Sequence, residues 1–281
     1  MYRTLISVDE LAVLPPESVL LIDCRHQLAD PDYGRRAYAA GHLPNAHHLH
    51  LDYHLSGPTS GSNGRHPLPD RQRLAVVLGA LGLAPGIQCV AYDDAGGMFA
   101  ARLWWLAQWL GHHEVAVLDG GIQAWTAAGQ PLTQAEAGSH PPVRFLPRDG
   151  GMRTVTADEV LANIDRAQFQ LVDARGADRF RGENETIDPV GGHIPGAINH
   201  PFAGNLASDG RFKPAATLRD EWLAQLGERP PQQVVHQCGS GVTACHNLLS
   251  MEYAGLNGSR LYPGSWSEWV AGAERPCATG A

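Results

Sequence analysis

The chain has 281 residues, 43% hydrophobic and 18% charged, with a formal charge of −8 at pH 7. This composition excludes disordered and fibrous classes, and the acidic balance leaves no broad basic field to release counterions from a polynucleotide. At roughly 100 to 150 residues per domain, the length predicts two domains, each with its own core.

The opening Met1-Tyr2-Arg3-Thr4-Leu5-Ile6-Ser7 lacks the long apolar run of a secretory signal, because Asp9 and Glu10 interrupt it. Nothing reads as a membrane span, so a cytoplasmic protein is the expectation. The first strand is Leu20-Leu21-Ile22-Asp23-Cys24-Arg25, followed by Gly41-His42-Leu43-Pro44-Asn45-Ala46. A segment of helical period runs from Arg71 to Leu81, a strand covers Cys89-Val90-Ala91-Tyr92, and Leu118-Asp119-Gly120-Gly121 precedes Trp125. The stretch from Gln130 to Arg153 is rich in Gly, Pro and polar residues, contains Pro141-Pro142, and reads as a linker with the boundary near residue 150.

Beyond that boundary the series returns in the same order. Leu171-Val172-Asp173-Ala174-Arg175 answers the first strand, and Gly192-His193-Ile194-Pro195-Gly196-Ala197 answers the Gly-His segment. After a helical stretch from Leu218 to Leu226, Val234-Val235-His236 answers Val90-Ala91-Tyr92, and Tyr262-Pro263-Gly264-Ser265 with Trp269 answers the last landmark. Four landmarks in one order mark a duplicated domain. Strands alternating with helices predict an α/β fold in each copy, a parallel sheet flanked by helices. The expected division is residues 1–130, a linker at 131–153, and 154–281.

Cysteines stand at 24, 89, 238, 245 and 277, an odd number with no CxxC pair, so neither a disulfide framework nor a zinc site is expected. Free thiols suit a reducing compartment. The histidines, among them His47-His48, His50, His54 and His112-His113, lack the frame of a metal motif.

The informative thiol is Cys238. It ends the strand Val234-Val235-His236-Gln237 and opens the loop Gly239-Ser240-Gly241-Val242-Thr243-Ala244, beyond which Cys245-His246-Asn247-Leu248-Leu249-Ser250-Met251 follows at helical period. Gly239 and Gly241 remove Cβ obstruction, so backbone N–H groups can turn inward around the sulfur as an anion nest. The helix adds its positive end. Such surroundings favour a thiolate, the form that attacks sulfur and carbon electrophiles. A buried thiol acting only as a small hydrophobe is the bland alternative, and it is the expectation for Cys89 and Cys245.

The loop Cys238-Gly239-Ser240-Gly241-Val242-Thr243-Ala244 resembles the active-site loop of the rhodanese superfamily, in its mercaptopyruvate sulfurtransferase branch. Asp173-Ala174-Arg175, Arg179-Phe180-Arg181-Gly182, Gly192 to Ala197 and Gly264-Ser265-Trp266 extend the likeness over nearly the whole chain. It implies two tandem rhodanese-like domains. In the first copy the position of Cys238 falls at Asp93, and a carboxylate cannot carry a persulfide, so that copy is expected to be catalytically silent. The resemblance further implies a cycle without metal or organic cofactor. The Cys238 thiolate takes sulfur from a small-molecule donor and passes it to cyanide or to a thiol such as thioredoxin or glutathione.

For a mercaptopyruvate donor the family uses a Ser-His-Asp relay, which maps onto Ser240, His66 in Gly64-Arg65-His66-Pro67, and Asp52 in His50-Leu51-Asp52. His66 and Asp52 read equally as ordinary loop polar residues. Arg179 matches one family arginine for the donor carboxylate, with Gly239, Gly241, Val242 and Thr243 forming the rest of the binding loop. Arg181 suits a surface ion pair as well as it suits substrate. The family's second arginine is missing, since Glu185-Thr186-Ile187-Asp188-Pro189 occupies its place.

Thiosulfate enzymes of the family carry two basic residues after the cysteine, where this chain has neutral Gly239 and Ser240. Each close charge pair near a surface is worth roughly 4 kcal/mol, which favours mercaptopyruvate, with thiosulfate as the alternative donor. Two other classes compete. A cysteine phosphatase needs an arginine closing the loop, which is absent here, and a non-catalytic binding module has no use for the retained Cys238.

Overall fold

A computed structural model describes residues 1–138 and 140–280. The chain forms two compact units, the first built from Met1–Gly57, Pro69–Gly151 and Ser208–Phe212, the second from Pro58–Leu68, Met152–Ala207 and Lys213–Ala281.

Among the described residues, the first unit has five strands, β1 (Leu5–Ile6), β2 (Val19–Asp23), β3 (Ala46–His48), β4 (Gln88–Tyr92) and β5 (Val115–Leu118). They lie in the order β1-β5-β4-β2-β3, all parallel. Every residue of β2 and β4 is buried, as expected of central strands covered on both faces. The covering helices are α1 (Val8–Ala12), α2 (Tyr33–Ala40), α3 (Arg71–Ala80), α4 (Ala100–Trp109) and α5 (Gly121–Ala127). Trp104 and Trp105 of α4 are fully buried.

The second unit has β6 (Gln170–Asp173), β7 (Ile198–Asn199), β8 (Val234–Gln237) and β9 (Arg260–Leu261) in the parallel order β7-β6-β8-β9. Its helices are α6 (Ala157–Arg166), α7 (Ala177–Arg181), α8 (Ala215–Leu226), α9 (Thr243–Tyr253) and α10 (Ser265–Trp269). Its core is anchored by Trp222, Trp266 and Trp269, each at 0% exposure.

The repeat reaches down to single bonds. Ser7 and Thr156 each close a capping box with the glutamate three residues on, Glu10 and Glu159. Arg25 pairs with Asp23 and donates to the Gly41 carbonyl at 2.8 Å; Arg175 pairs with Asp173 and donates to the Gly192 carbonyl at 2.6 Å. His42 stacks on Tyr38 and His193 on Phe180, with ring centroids 3.7 and 3.8 Å apart. The Asp-x-Arg and Gly-His motifs are therefore braces that fix the chain beside the sheet.

Of the stretch 131–153, expected as a linker, the described residues up to Gly151 belong to the first unit and are bonded along it, while Arg153 already accepts from Leu261 N–H in the second. Thr133 pairs with His42, the Val143 N–H donates to Gly79 O at 2.9 Å, and the Arg148 N–H donates to Leu110 O at 2.8 Å. Its Gly and Pro content suppresses periodicity, but its polar backbone still finds partners on a packed surface. Among the described residues, no helix is long and apolar enough to cross a membrane.

Candidate active site

Cys238 sits at the carboxyl end of β8, only 2% exposed. Its Sγ accepts hydrogen bonds from the backbone N–H of Gly241 at 3.1 Å and of Ser240 at 3.5 Å. Gly241 makes this possible: its φ is +77°, and a Cβ there would lie 2.3 Å from the Pro263 carbonyl oxygen. Val242 caps α9, and Thr243 opens it, so the sulfur faces a helix start as well as two inward amides.

The loop is clamped from the other side by the turn before α10. Trp266 N–H donates to Cys238 O at 3.0 Å and Ser267 N–H to Gly239 O at 2.9 Å. Ser265, with φ +55° in a region that non-glycine residues seldom adopt, accepts from the Cys238 N–H at 3.1 Å and donates to Tyr262 O at 2.9 Å.

Segment Pro58–Leu68 belongs to this same unit. It brings His66 to Ser240, with Nδ1 2.7 Å from Oγ and both residues 5% exposed. Ser240 and His66 are thus in direct contact. Asp52 lies in the first unit, where its N–H donates to His50 Nδ1 at 3.1 Å. Among the described residues, His26, His50 and Asp52 are the one group with metal-ligand atoms within 4.8 Å of one another. His50 fits a metal poorly, since its Nε2 lies 2.8 Å from Pro31 O and its Nδ1 is occupied by the Asp52 N–H.

Arg179, on α7, donates to Glu185 at 2.9 and 2.8 Å and to Asp188 at 3.2 Å. Asp188 also pairs with Arg65. Sequence reasoning did not assign a role to Arg65, Glu185, Asp188 or Ser265. Burial pushes Glu185 up, yet the N–H groups of Asp188 and Ile187 and the Arg179 guanidinium outweigh it and hold the carboxyl below its ordinary range. Burial raises the Asp188 carboxyl, opposed chiefly by Arg65. Arg181 forms an exposed pair with Glu183, the surface alternative of the two readings.

Among the described residues the other thiols are also free. Burial drives Cys24 far up and pushes Cys89 up to about 12, which leaves both as inert packing groups. Cys245 donates to Gly241 O at 3.3 Å and is fully buried, bracing the loop from inside α9.

A family model described as a rhodanese-like domain matches residues 7–128 and again 156–272. The chain belongs to the rhodanese-like sulfurtransferases. It is 48% identical to a probable 3-mercaptopyruvate sulfurtransferase of Pseudomonas aeruginosa over 98% of both chains. It is 33% identical to the 3-mercaptopyruvate sulfurtransferase of Mus musculus over 98% of this chain and 94% of that one. The thiosulfate sulfurtransferase of Bos taurus is 31% identical, with coverage of 96% and 92%. A solved 3-mercaptopyruvate sulfurtransferase from Leishmania major superposes with a TM-score of 0.83 at 32% identity, covering 95% of this chain and 74% of that one. Two tandem rhodanese domains with parallel sheets are therefore the architecture, as the repeated motifs imply.

Proposed function

We propose that this sulfurtransferase moves sulfur from 3-mercaptopyruvate to a thiol or cyanide through a persulfide on Cys238. The observation that carries the reading is the cradle of the sulfur: two main-chain N–H groups on Sγ, with the Ser240–His66 pair beside it. The Cys238 thiolate attacks the donor sulfur. The C3–S bond breaks, its electron pair leaves as the enolate of pyruvate, and the proton given up by the donor thiol ends on C3. The Ser240–His66 pair is assigned to carry that proton, supported by their direct contact, and Asp52 is assigned to orient His66 on the family resemblance. The loop N–H groups stabilise the negative charge that remains on the outer sulfur.

In the second half-cycle an acceptor thiolate or cyanide attacks that outer sulfur. The S–S bond breaks and the Cys238 thiolate returns, so atoms and charge balance without a redox cofactor. Small thiols such as glutathione, or a thioredoxin, are the acceptors this chemistry suits, in a reducing compartment such as the cytoplasm.

Charge around the loop supports mercaptopyruvate over thiosulfate. Arg65 and Arg179 stand near Gly239, but Asp188 and Glu185 are paired with them. Two guanidinium groups against two carboxylates leave no surplus positive charge for a dianion. The test is persulfide loading. Incubation with mercaptopyruvate should add 32 Da, one sulfur atom, to the peptide containing Cys238, and Cys238→Ser should abolish both this adduct and thiocyanate formation while circular dichroism stays unchanged. Normal turnover by that variant refutes the mechanism.

A further inference from the structure

In each half a segment between a strand and the next helix joins the other unit. Pro58–Leu68, between β3 and α3, belongs to the second unit, and Ser208–Phe212, between β7 and α8, belongs to the first. Each is held through a backbone N–H on a side-chain oxygen at the start of α5 or α10. The Phe212 N–H donates to Asp119 Oδ1 at 2.8 Å, and the Arg65 N–H donates to Ser267 Oγ at 3.0 Å. What the second unit adds is chemistry: Pro58–Leu68 carries His66 to Ser240, whereas the first domain has Ala95 in the place of Ser240.

Ser267 is bonded in two directions. Its N–H donates to Gly239 O at 2.9 Å, and its Oγ accepts from the Arg65 N–H and donates to Gly264 O at 3.3 Å. Gly239 lies between Cys238 and Ser240, and Arg65 precedes His66. Both partners of the Ser240–His66 contact are thus anchored to one residue, each at a distance of one peptide. Gly64 permits the close approach: its φ is +83°, and a Cβ there would lie 2.7 Å from Gly264 O and 3.2 Å from Ser267 Oγ. In the first domain the counterpart of Ser267 is Gln123, whose Nε2 donates to Asp94 O at 2.8 Å. There the side chain is spent on the loop carbonyl; in the second domain the backbone N–H takes that carbonyl and leaves the hydroxyl for Arg65.

Resting on the sulfurtransferase reading, we propose that Ser267 is a positioning residue for the Ser240–His66 pair, holding the Pro58–Leu68 segment in register with the Cys238 loop. Residues 58–62 are exposed, and the side-chain bonds of Ser60 and Asn63 stay within the segment. Its placement on the second unit is therefore decided at the far end, where Arg65 and His66 are bonded. Proton transfer requires His66 within hydrogen-bond reach of Ser240, and a displacement of about 1 Å costs on the order of a hundredfold in rate. Ser267 acts through His66 and touches neither the donor nor the sulfur.

The test has one readout in turnover and one outside it, both on the full chain. Persulfide loading of Cys238 by mercaptopyruvate is timed by quenched flow and peptide mass spectrometry. Ser267→Ala should slow loading about tenfold to a hundredfold at saturating donor, the range for a displaced catalytic group, and Ser267→Thr, which keeps the hydroxyl, should recover most of it. In a His66→Ala background Ser267→Ala should change loading by less than about twofold, because the group it positions is gone. An equal loss in both backgrounds marks a merely structural residue and overturns the proposal. Outside turnover, diethyl pyrocarbonate modification of buried His66 is followed on its own peptide. Ser267→Ala should speed it about threefold to tenfold, the worth of one hydrogen bond, with the other histidines unchanged; a wild-type rate at His66 overturns the proposal too. Should Ser267→Ala fail to fold, Ser267→Cys keeps the size with a weaker acceptor and must speed His66 modification in the same direction. A wild-type protein that takes up no sulfur sinks the sulfurtransfer reading, and the His66 modification rates then still decide whether Ser267 holds the segment.

Discussion

The loops that follow β4 and β8 occupy equivalent places in the two domains and are built around different acceptor groups. After β8 the group at the centre is the Cys238 sulfur, with two N–H groups on it. After β4 it is Asp93, fully buried, whose Oδ1 accepts from Ala95 and Gly97 at 2.9 Å and whose Oδ2 accepts from Phe99 and Ala100 at 2.8 Å. The backbone around them matches: Ile122 N–H donates to Asp93 O as Trp266 N–H donates to Cys238 O, each at 3.0 Å. Gly121 and Ser265, the residues before those donors, share φ values of +57° and +55°.

The difference teaches what the fold supplies and what the sequence must add. A strand, a tight turn and a helix start make an anion nest in both domains. In the first domain a side chain of the chain itself fills it permanently. Burial raises the Asp93 carboxyl, and the N–H groups of Ala100, Ala95, Gly97 and Phe99 oppose that shift. With four N–H groups directed at its oxygens, Asp93 fills the nest as a structural acceptor and closes it to any other group. In the second domain the nest holds an atom that can accept a second sulfur, and the hydroxyl of Ser240 stands where the first domain has Ala95.

That last contrast gives the largest expected effect. Ser240→Ala makes the second loop like the first at this position. It should reduce kcat with mercaptopyruvate by about 10² to 10⁴, the range for loss of positioned acid–base catalysis. Discharge of a preformed persulfide to cyanide should be unchanged. Stopped-flow loading and discharge separate the two, and equal losses in both halves would contradict a proton-transfer role.

Next comes the first nest. Asp93→Asn leaves N–H groups facing an amide NH₂ instead of a carboxylate oxygen. A loss of about 3 kcal/mol in urea unfolding is expected, as for buried donors left without an acceptor; an unchanged midpoint would show that the four bonds do not matter. Ser265→Ala is a smaller version in the second domain. It removes the acceptor of the Cys238 N–H and should cost about 1 kcal/mol, read by the same titration.

The smallest effect concerns pH. The Glu185 carboxyl is held below its ordinary value of 4.5 in the folded chain. A carboxyl depressed on folding contributes stability that is present above its unfolded value and is lost as pH falls through its folded value. Stability should therefore decline as pH drops below about 4.5, and Glu185→Gln should show a shallower decline there. Identical slopes for both proteins would remove Glu185 from the acid response.

Much of this was legible along the chain because it is local. Periodicity and order exposed the duplication, and the run from Val234 to Met251 shows strand, loop and helix without reference to anything distant. Pairing Cys238 with Asp93 also needs only the alignment of the halves. The segment 131–153 was harder, because Gly- and Pro-rich backbone satisfied by a packed surface gives no periodic signal. Ser265 could be found only as the counterpart of Gly121, since nothing in its own neighbours announces a positive φ.

What the sequence by itself determined is the α/β class, the doubling and the choice of Cys238 as the candidate thiol, since each depends on residues adjacent in the chain or repeated at a fixed interval. Tertiary structure alone decided that Pro58–Leu68 belongs with the second unit, that His66 meets Ser240, and that Arg65 shares Asp188 with Arg179. Those pairs are 123 to 174 positions apart, apart from the neighbours Arg179 and Asp188. Hydrogen bonds and charge pairs act over a few ångströms of space, and spacing along a chain carries no record of that distance.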